Sequence, residues 1–238
     1  MLKVKKKVLL TGISGYIGNH CAVELLKNGY SVRGSLRSLS KSENVINAIK
    51  KEIDLKDNLE FCELDLLSDN GWDSAMQGCD YVLHVASPFI MFEPKDENEY
   101  VRPAVDGTMR ALNAAKKAGV KRVVITSSMV SMLGNADKSI KVDSNSWTNV
   151  NAKNVSAYAK SKTLAEQSAW DFIENQDDKE NMELTVVNPG PVFGPTLSGN
   201  MEGASMGMFK NMILGKMPMV PKSSICLLYT SDAADDRS

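Results

Sequence analysis

The chain has 238 residues, 24% of them charged and 43% hydrophobic, with a formal net charge of −1. This balance is typical of a globular protein with a hydrophobic core, and the length suits one domain of ordinary size or slightly more. The near-neutral charge provides no basic surface for nucleic acid, and no apolar run is long enough to cross a membrane. We therefore expect neither nucleic acid nor a membrane as a partner.

The four cysteines show no C-x-x-C spacing and no pairing pattern. Unpaired cysteines are typical of reducing compartments, so we expect free thiols, a cytoplasmic location and no metal site. Met1 leads almost directly into the first predicted strand, and we expect no signal peptide. His20 lies within a predicted helix and His84 within a predicted strand, which favours structural roles for both.

The first two predicted elements are a strand over residues 8–11 and a helix over residues 16–26. Between and within them lie Gly12, Gly15 and Gly18, a G-x-x-G-x-x-G spacing. Glycine lets the backbone approach a pyrophosphate, and the helix N-terminus offers unpaired N–H groups and a positive dipole end. The alternative is a purely structural role, because any tight strand–helix turn favours glycine.

Strand and helix patterns alternate through the rest of the chain. The further predicted strands span residues 31–36, 58–63, 81–85, 122–126 and 184–187. The further predicted helices span residues 41–53, 72–76, 99–118 and 155–174. This alternation predicts an α/β fold, a Rossmann-type doubly wound parallel sheet with helices on both faces. Right-handed crossovers then place the carboxyl ends of all strands at one edge, where ligands bind.

The end of the second predicted strand indicates which dinucleotide binds. NAD-preferring sites carry an acid in this region, but here the residues are Ser35, Leu36 and Arg37. An arginine at this position can pair with the 2′-phosphate of NADP, with Arg33 or Lys41 assisting. The sequence therefore predicts NADP(H), although an arginine after a strand is also often a solvated surface charge.

The third and fourth predicted strands end in further candidate cofactor residues. Asp65 and Leu66 follow the third strand, where they can hold the adenine edge; the alternative for Asp65 is a turn or helix cap. Val85, Ala86 and Ser87 follow the fourth strand, and small residues there allow a cofactor to pass over the sheet edge.

Tyr158 and Lys162 form the candidate catalytic pair. They are four residues apart on a predicted helix and so lie on one face. A free phenol has a pKa of about 10, and we expect the ammonium, with the positive charge of an oxidised nicotinamide, to lower it. After the fifth predicted strand, the hydroxyl of Ser127 or Ser128 can hydrogen-bond a substrate carbonyl; the adjacent residues do not distinguish between the two.

Together these motifs resemble the extended short-chain dehydrogenase/reductase family, within the NAD-dependent epimerase/dehydratase superfamily, and most closely its dihydroflavonol reductase-like branch. The resemblance covers residue 4 to about residue 195. It is carried by the glycine turn, Arg37 and the segments 84–88, 158–166 and 188–195. It implies NADPH-dependent reduction of the carbonyl of an aldehyde or ketone, a small-molecule substrate.

The resemblance also implies the site residues. The catalytic residues are expected to be Ser128, Tyr158 and Lys162. The residues expected to contact NADP(H) are Thr11, Gly12, Gly15, Tyr16, Ile17, Gly18, Arg37, Asp65, Leu66, Val85, Ala86, Ser87, Thr126, Tyr158, Lys162, Pro189, Gly190 and Val192. The family further implies a homodimer through the two long helices, residues 99–118 and 155–174.

Other functions use the same residues. A hydroxysteroid dehydrogenase or a sugar-nucleotide epimerase carries the same catalytic group, but epimerases usually retain NAD, and no acid lies near Arg37. A non-catalytic dinucleotide sensor would be expected to lose Tyr158 or Lys162, and both are present. An inactive NADP-binding fragment is a further alternative, because the substrate region expected after residue 195 is short.

The last part of the chain has a different character. We expect residues 1–195 to form the NADP-binding Rossmann domain with the catalytic group, and residues 196–225 to begin an incomplete substrate-binding region. Residues 226–238 show neither helical nor strand periodicity and resemble one reading frame of a transposon-type DNA sequencing adapter. We therefore expect residues 226–238 to be non-native and the natural sequence to be cut off near residue 225.

Overall fold

The computed structural model describes residues 5–88, 94–134, 142–176, 182–201 and 204–216. Its strands are β1 (Lys7–Thr11), β2 (Ser31–Leu36), β3 (Leu59–Glu63), β4 (Tyr81–His84), β5 (Arg122–Thr126) and β6 (Glu183–Val187). Its α-helices are α1 (Tyr16–Lys27), α2 (Ser42–Ile49), α3 (Trp72–Met76), α4 (Asn98–Lys117), α5 (Val130–Leu133), α6 (Ala157–Glu174) and α7 (Ala204–Ile213).

The strands form one parallel sheet in the order β3-β2-β1-β4-β5-β6. This order confirms the predicted Rossmann-type fold. The direction of winding reverses between β1 and β4, so the chain segments that follow these two strands diverge. In sheets of this kind the resulting crevice at the carboxyl ends is where ligands bind.

Two hydrophobic layers hold the helices on the sheet. On one face, Leu9, Val82 and Val123 pack with side chains of α3, α4 and α6. On the other face, Leu10 and Val32 pack with side chains of α1 and α2. Because successive side chains of a strand point to opposite faces, the apolar run Val8, Leu9 and Leu10 of β1 is buried on both sides of the sheet.

β6 is covered on one face only within the described part of the chain. Leu184 and Val186 are half-buried and belong to the layer beneath α6, whereas Thr185 and Val187 on the opposite face are exposed. The side chain of Val187 is 48% exposed.

In the residues described, none of the α-helices in the chain is long and apolar enough to span a membrane.

Four helices differ from the prediction by more than one residue at an end or were not predicted. The helix predicted over 41–53 is shorter, because the amides of Lys51 and Glu52 bond three residues back, to Ala48 and Ile49, and end α2 in a tight turn. α6 begins two residues late because Ser156 caps it, accepting from the Ala159 amide at 3.1 Å. The helices α5 and α7 were not predicted.

The predicted domain boundaries at residues 195 and 225 stay predictions. The described chain continues through residue 195 into a loop and α7, whose residues are Ala204–Ile213. The segment predicted to be non-native, residues 226–238, lies outside the described residues.

Candidate active site

A cleft of about 650 Å³ lies at the carboxyl edge of the sheet, where the winding reverses. Every residue that the family resemblance implies for cofactor binding or catalysis lines it. From the glycine turn these are Thr11, Gly12, Gly15, Tyr16, Ile17 and Gly18; from the later strand ends and α6 they are Arg37, Asp65, Leu66, Val85, Ala86, Ser87, Thr126, Ser128, Tyr158, Lys162, Pro189, Gly190 and Val192. The structure thus brings residues separated by up to 181 positions along the chain to one cleft (from 11 to 192).

The glycine turn is built by close backbone approaches. Gly12 has φ +68°, and a Cβ there would lie 2.9 Å from the Ala86 Cα. A Cβ on Gly18 would lie 2.2 Å from the Gly12 oxygen. Asn19 holds the turn from inside, because its Nδ2 donates to the carbonyls of Ile13 at 2.6 Å and Gly15 at 3.0 Å. Glycine is therefore required by space at both positions.

The N-terminus of α1 lies in this cleft without a side-chain cap. Gly15 is the N-cap residue, and no side chain bonds to the first turn. The amides of the first helical turn have no partner within the helix, so they are available to an anion. Such a terminus, beside backbone too crowded for a Cβ, fits the pyrophosphate of a dinucleotide.

Thr11 has a structural task within the cleft wall. Its hydroxyl accepts from the Ala86 amide at 3.0 Å and lies 3.0 Å from Nδ1 of His84. It therefore joins the ends of β1 and β4 at the reversal point. The His84 ring is 3% exposed and hydrogen-bonded, which agrees with the structural role predicted for it.

Arg37 is exposed at the end of β2, and no hydrogen bond or ion pair within the described residues engages its guanidinium. Arg33, one of the two residues considered as assisting it, does not line the cleft. The Arg33 guanidinium points to the sheet face covered by α3. There it donates to Oε1 of Glu60 at 2.7 Å and to the Ala75 carbonyl oxygen at 2.7 Å. Lys41 lies beyond the cleft lining, in a short 3-10 turn.

Asp65 lies in the cleft wall and also forms a turn. Its Oδ1 accepts from the Leu67 amide at 2.8 Å, which is the turn role considered as the alternative. Ser35, buried at the end of β2, accepts from the Gly12 amide at 3.3 Å and so closes the glycine turn from the neighbouring strand.

The predicted catalytic side chains meet at the cleft end nearest β5. The Ser128 hydroxyl and the Tyr158 phenol line this end together, and Ser128 acts to lower the pKa of the phenol. The Tyr158 ring packs edge-on against Tyr100 of α4, with ring centroids 6.2 Å apart. The Lys162 ammonium donates to the Thr126 carbonyl oxygen at 3.0 Å, so Thr126 takes part through its backbone.

The structure distinguishes the two serines that the sequence left equal. The Ser127 hydroxyl donates to Oε2 of Glu166 at 2.5 Å, and both groups are buried. The Ser128 hydroxyl is the one that reaches Tyr158. This geometry agrees with the choice of Ser128 that the family resemblance implied.

Burial decides the ionisation of the catalytic pair. It raises the pKa of Tyr158, and the hydrogen bond from Ser128 opposes this only in part. Burial lowers the pKa of Lys162 to about 8, although the nearby Glu166 carboxylate raises it. The lowering of the Tyr158 pKa predicted for Lys162 together with an oxidised nicotinamide stays a prediction. In the protein alone the ammonium is directed to Thr126, and burial of the phenol dominates.

Several cleft residues were missed by the sequence analysis. They are Ser14, Leu64, Leu67, Trp72, Glu99, Pro103, Ser205 and Met206. Ser205 is on the unpredicted helix α7, and its hydroxyl accepts from the Val192 amide at 3.1 Å. Its position next to the segment 188–195 depends on a turn of the chain that no local pattern indicates.

The described residues contain no group of three His, Cys, Asp or Glu side chains placed to hold a metal.

The profile of the NAD dependent epimerase/dehydratase family matches residues 8–234. The chain belongs to that family.

Its relatives in the family include reductases. Tetraketide alpha-pyrone reductase 1 from Arabidopsis thaliana is 36% identical over 202 residues, which are 83% of this chain and 60% of that protein. Cinnamoyl-CoA reductase CAD2 from Medicago truncatula is 32% identical over 234 residues, 96% of this chain and 70% of that protein. The chain thus spans about 60% of the length of the first of these family members.

Among solved structures, Gre2 in complex with NADPH from Candida albicans superposes with a TM-score of 0.76 at 29% identity, covering 93% of this chain and 68% of that one. The yeast methylglyoxal/isovaleraldehyde reductase Gre2 complexed with NADPH gives 0.76 at 30% identity over the same shares. These findings confirm the predicted family and its reductase branch.

His84 makes the free energy of unfolding depend on pH in the acid range. Burial, and to a lesser extent the charge of Lys162, lowers the pKa of His84 from 6.5 to about 4. Between these pH values the unfolded chain binds a proton that the native chain excludes, so stability is lost as the pH falls from 6.5 towards 4. We expect His84 to account for about 3 kcal/mol of that loss.

We expect His84→Gln to flatten this part of the pH profile, since Gln can still hydrogen-bond the Thr11 hydroxyl. The measurement is urea unfolding at several pH values across the window. His20→Gln is the matched control, because the His20 ring lies at the surface against the Pro195 carbonyl. An unchanged acid slope in His84→Gln would show that other groups cause the loss.

Proposed function

We propose that this chain is an NADP(H)-dependent reductase that transfers hydride to the carbonyl of an aldehyde or ketone. The observation that carries the proposal is the Ser128–Tyr158–Lys162 cluster in the same cleft as the uncapped glycine turn. The reductase names of its relatives and the NADPH in the titles of its structural neighbours support this choice.

The residues present fit NADP(H). The first-turn amides of α1 would hold the pyrophosphate, Arg37 the 2′-phosphate, and Asp65 with Leu66 the adenine edge. The segment that includes Gly190 would line the nicotinamide end. When bound, the reduced nicotinamide supplies the hydride.

The chain's own residues would supply the proton and the oxygen contacts. The raised pKa of Tyr158 keeps its phenol protonated at neutral pH, which is the form that donates a proton to the developing alkoxide. Ser128 is placed to donate a hydrogen bond to the same oxygen, which stabilises negative charge there. Lys162 lies one helical turn after Tyr158 on α6, and its ammonium adds positive charge to this end of the cleft.

The proposal is tested first by cofactor binding. Trp72 lines the cleft and is 3% exposed, so bound NADPH is expected to quench tryptophan fluorescence. Turnover is then followed as loss of NADPH absorbance with methylglyoxal, isovaleraldehyde and cinnamoyl-CoA as substrates. Binding of NADPH with reduction of at least one carbonyl supports the proposal.

The other functions give different results in the same assays. A sugar-nucleotide epimerase would bind NAD in preference to NADPH. A hydroxysteroid dehydrogenase would reduce a steroid ketone added to this panel and none of the other three substrates. An NADP-binding fragment or a dinucleotide sensor would bind NADPH and reduce nothing, and that result would contradict the proposed activity of this chain.

The NADP preference is expected to depend on Arg37. Arg37→Ser removes a charge-assisted contact to the 2′-phosphate, worth about 1.5–3 kcal/mol, so NADPH should bind about 10- to 100-fold more weakly. Affinity for NADH, which lacks that phosphate, should stay within about twofold. Fluorescence titration with both cofactors measures the difference.

Arg122→Ser is the matched control for Arg37. It removes the same charge from the opposite edge of the sheet, where Arg122 pairs with Glu183. We expect this variant to bind NADPH like the unchanged chain. Equal weakening of NADPH and NADH by Arg37→Ser would show that Arg37 does not read the 2′-phosphate.

We further propose a reducing, cytoplasmic setting. Cys21, Cys62 and Cys79 all carry free thiols. Burial raises the pKa of Cys62 to about 11 and raises the pKa values of Cys21 and Cys79, so none of these three thiols is readily deprotonated to a nucleophilic thiolate.

The homodimer through α4 and α6 stays a prediction, which light scattering of the purified chain can check.

A further inference from the structure

Glu166 is a buried carboxylate that the proposed mechanism does not use. It lies on α6, is 6% exposed and does not line the cleft. Three donors converge on its Oε2: the hydroxyls of Ser127 at 2.5 Å and Ser131 at 2.7 Å, and Nδ2 of Asn188 at 2.7 Å. A buried carboxylate with this many donors is well satisfied and holds its partners in place.

These donors surround the segment that carries Ser128. Ser127 precedes it at the end of β5, Ser131 follows it on α5, and Asn188 comes from the end of β6. Two of the donors also approach the Ser128 carbonyl oxygen, the Ser131 hydroxyl at 2.9 Å and Asn188 Nδ2 at 3.3 Å. Glu166 therefore connects three elements around the backbone of Ser128.

Glu166 also lies one helical turn after Lys162, on the same face of α6. Its negative charge raises the pKa of Lys162 against the effect of burial. The other titratable groups near this ammonium are Tyr158 on α6 and His84 on β4, and burial keeps both uncharged at neutral pH.

The charged groups on elements packed against α6 are further away or already paired. At the N-terminal end of α4, the N-cap residue Glu97 pairs with Lys160 at the surface, and Glu99 of the first turn lines the cleft wall. On β6, Glu183 pairs with Arg122 at the opposite edge of the sheet. The helix α5 carries no titratable side chain. Glu166 is thus the carboxylate in the buried environment of Lys162 within the described residues.

We propose that Glu166 is a positioning residue of the active site, whose carboxylate both holds the Ser128 segment and acts as the counter-charge of the Lys162 ammonium. Its meaning for catalysis rests on the proposed reductase function. The counter-charge itself is a property of the protein alone and is tested without cofactor.

The test is Glu166→Gln, which keeps an oxygen acceptor for the three donors and removes the charge. The chain is labelled with lysine carrying ¹³C at Cε, and Lys162 is titrated by NMR, its signal assigned with Lys162→Met. We expect the pKa of Lys162 to fall by about one pH unit or more. An unchanged titration would overturn the proposal.

Ser131→Ala is the matched control. It removes one donor to Glu166 and disturbs the same network, but it leaves the carboxylate charged. We expect the Lys162 titration to stay as in the unchanged chain. If Ser131→Ala lowered it as much as Glu166→Gln, the effect would come from packing, and the counter-charge would be disproved.

A double-mutant cycle covers the case in which Glu166→Gln does not fold. If the carboxylate is the counter-charge of Lys162, Glu166→Gln should lower Tm less when Lys162 is already methionine. The doubly substituted chain should therefore fold even where Glu166→Gln alone does not. Additive losses, or a doubly substituted chain that also fails to fold, would overturn the proposal.

NADPH binding separates this proposal from the reductase function. If Lys162 titrates as expected but the unchanged chain binds no NADPH, the proposed function fails and the role of Glu166 as counter-charge stands. If the chain binds and uses NADPH but Glu166→Gln leaves the Lys162 titration unchanged, the reductase function stands and the role of Glu166 as counter-charge fails.

Discussion

Tyr158→Phe is expected to reduce carbonyl reduction by about 10³-fold or more while leaving NADPH affinity within about twofold. The substitution removes one oxygen, the atom that would donate the proton to the substrate. The ring remains, and with it the edge-on packing against Tyr100 at 6.2 Å that supports this part of α6. The expected loss is therefore in turnover and not in folding.

The measurement is the rate of NADPH oxidation with a saturating carbonyl substrate, beside a fluorescence titration with NADPH. Tyr100→Phe is the matched control, because it removes a buried phenol next to Tyr158 but not the one bonded to Ser128. We expect it to keep most of the activity. A Tyr158→Phe variant with undiminished turnover would refute the role of the phenol as proton donor.

Much of the fold follows from local patterns. The apolar strands and the helices with a 3.6-residue period are correct to within a few residues because each period reports which faces the chain buries. The bounds of β2, α3 and β5 agree with the prediction in full. The glycine turn was also readable from its spacing, and at Gly12 and Gly18 the structure leaves no room for a Cβ.

Other features depend on partners that are distant in the sequence. Arg33 is directed away from the cleft because it lies opposite Glu60 in the β2–β3 register, which its own neighbours do not reveal. Ser127 and Ser128 differ because Glu166, 39 positions from Ser127, takes one hydroxyl. The direction of the pKa shift of Tyr158 depends on how deeply α6 is buried and on where Lys162 points.

The second large effect is expected for Gly12→Ala, which should lower NADPH affinity at least about 100-fold. Alanine must adopt φ +68° there, and its Cβ would lie 2.9 Å from the Ala86 Cα and 3.0 Å from the Ala86 nitrogen. Both of these are backbone atoms, so relief requires movement of the turn or of the segment after β4. Moving Ala86 also breaks the bond from its amide to the Thr11 hydroxyl. Loss of two amide contacts to a charged pyrophosphate, at about 1.5–3 kcal/mol each, gives at least this magnitude.

Gly29→Ala is the control that separates the cost of a positive φ from the clash of a Cβ with neighbouring backbone. Gly29 has φ +81°, but a Cβ there would meet nothing within 4 Å. Its substitution carries only the cost of the left-handed conformation, about 1–2 kcal/mol of stability. We expect Gly29→Ala to bind NADPH normally and Gly12→Ala to lose both more stability and the cofactor, as measured by urea unfolding and fluorescence titration. If both variants bound NADPH equally well, the approach of Gly12 to Ala86 would not shape the phosphate site, and its glycine would serve the turn alone.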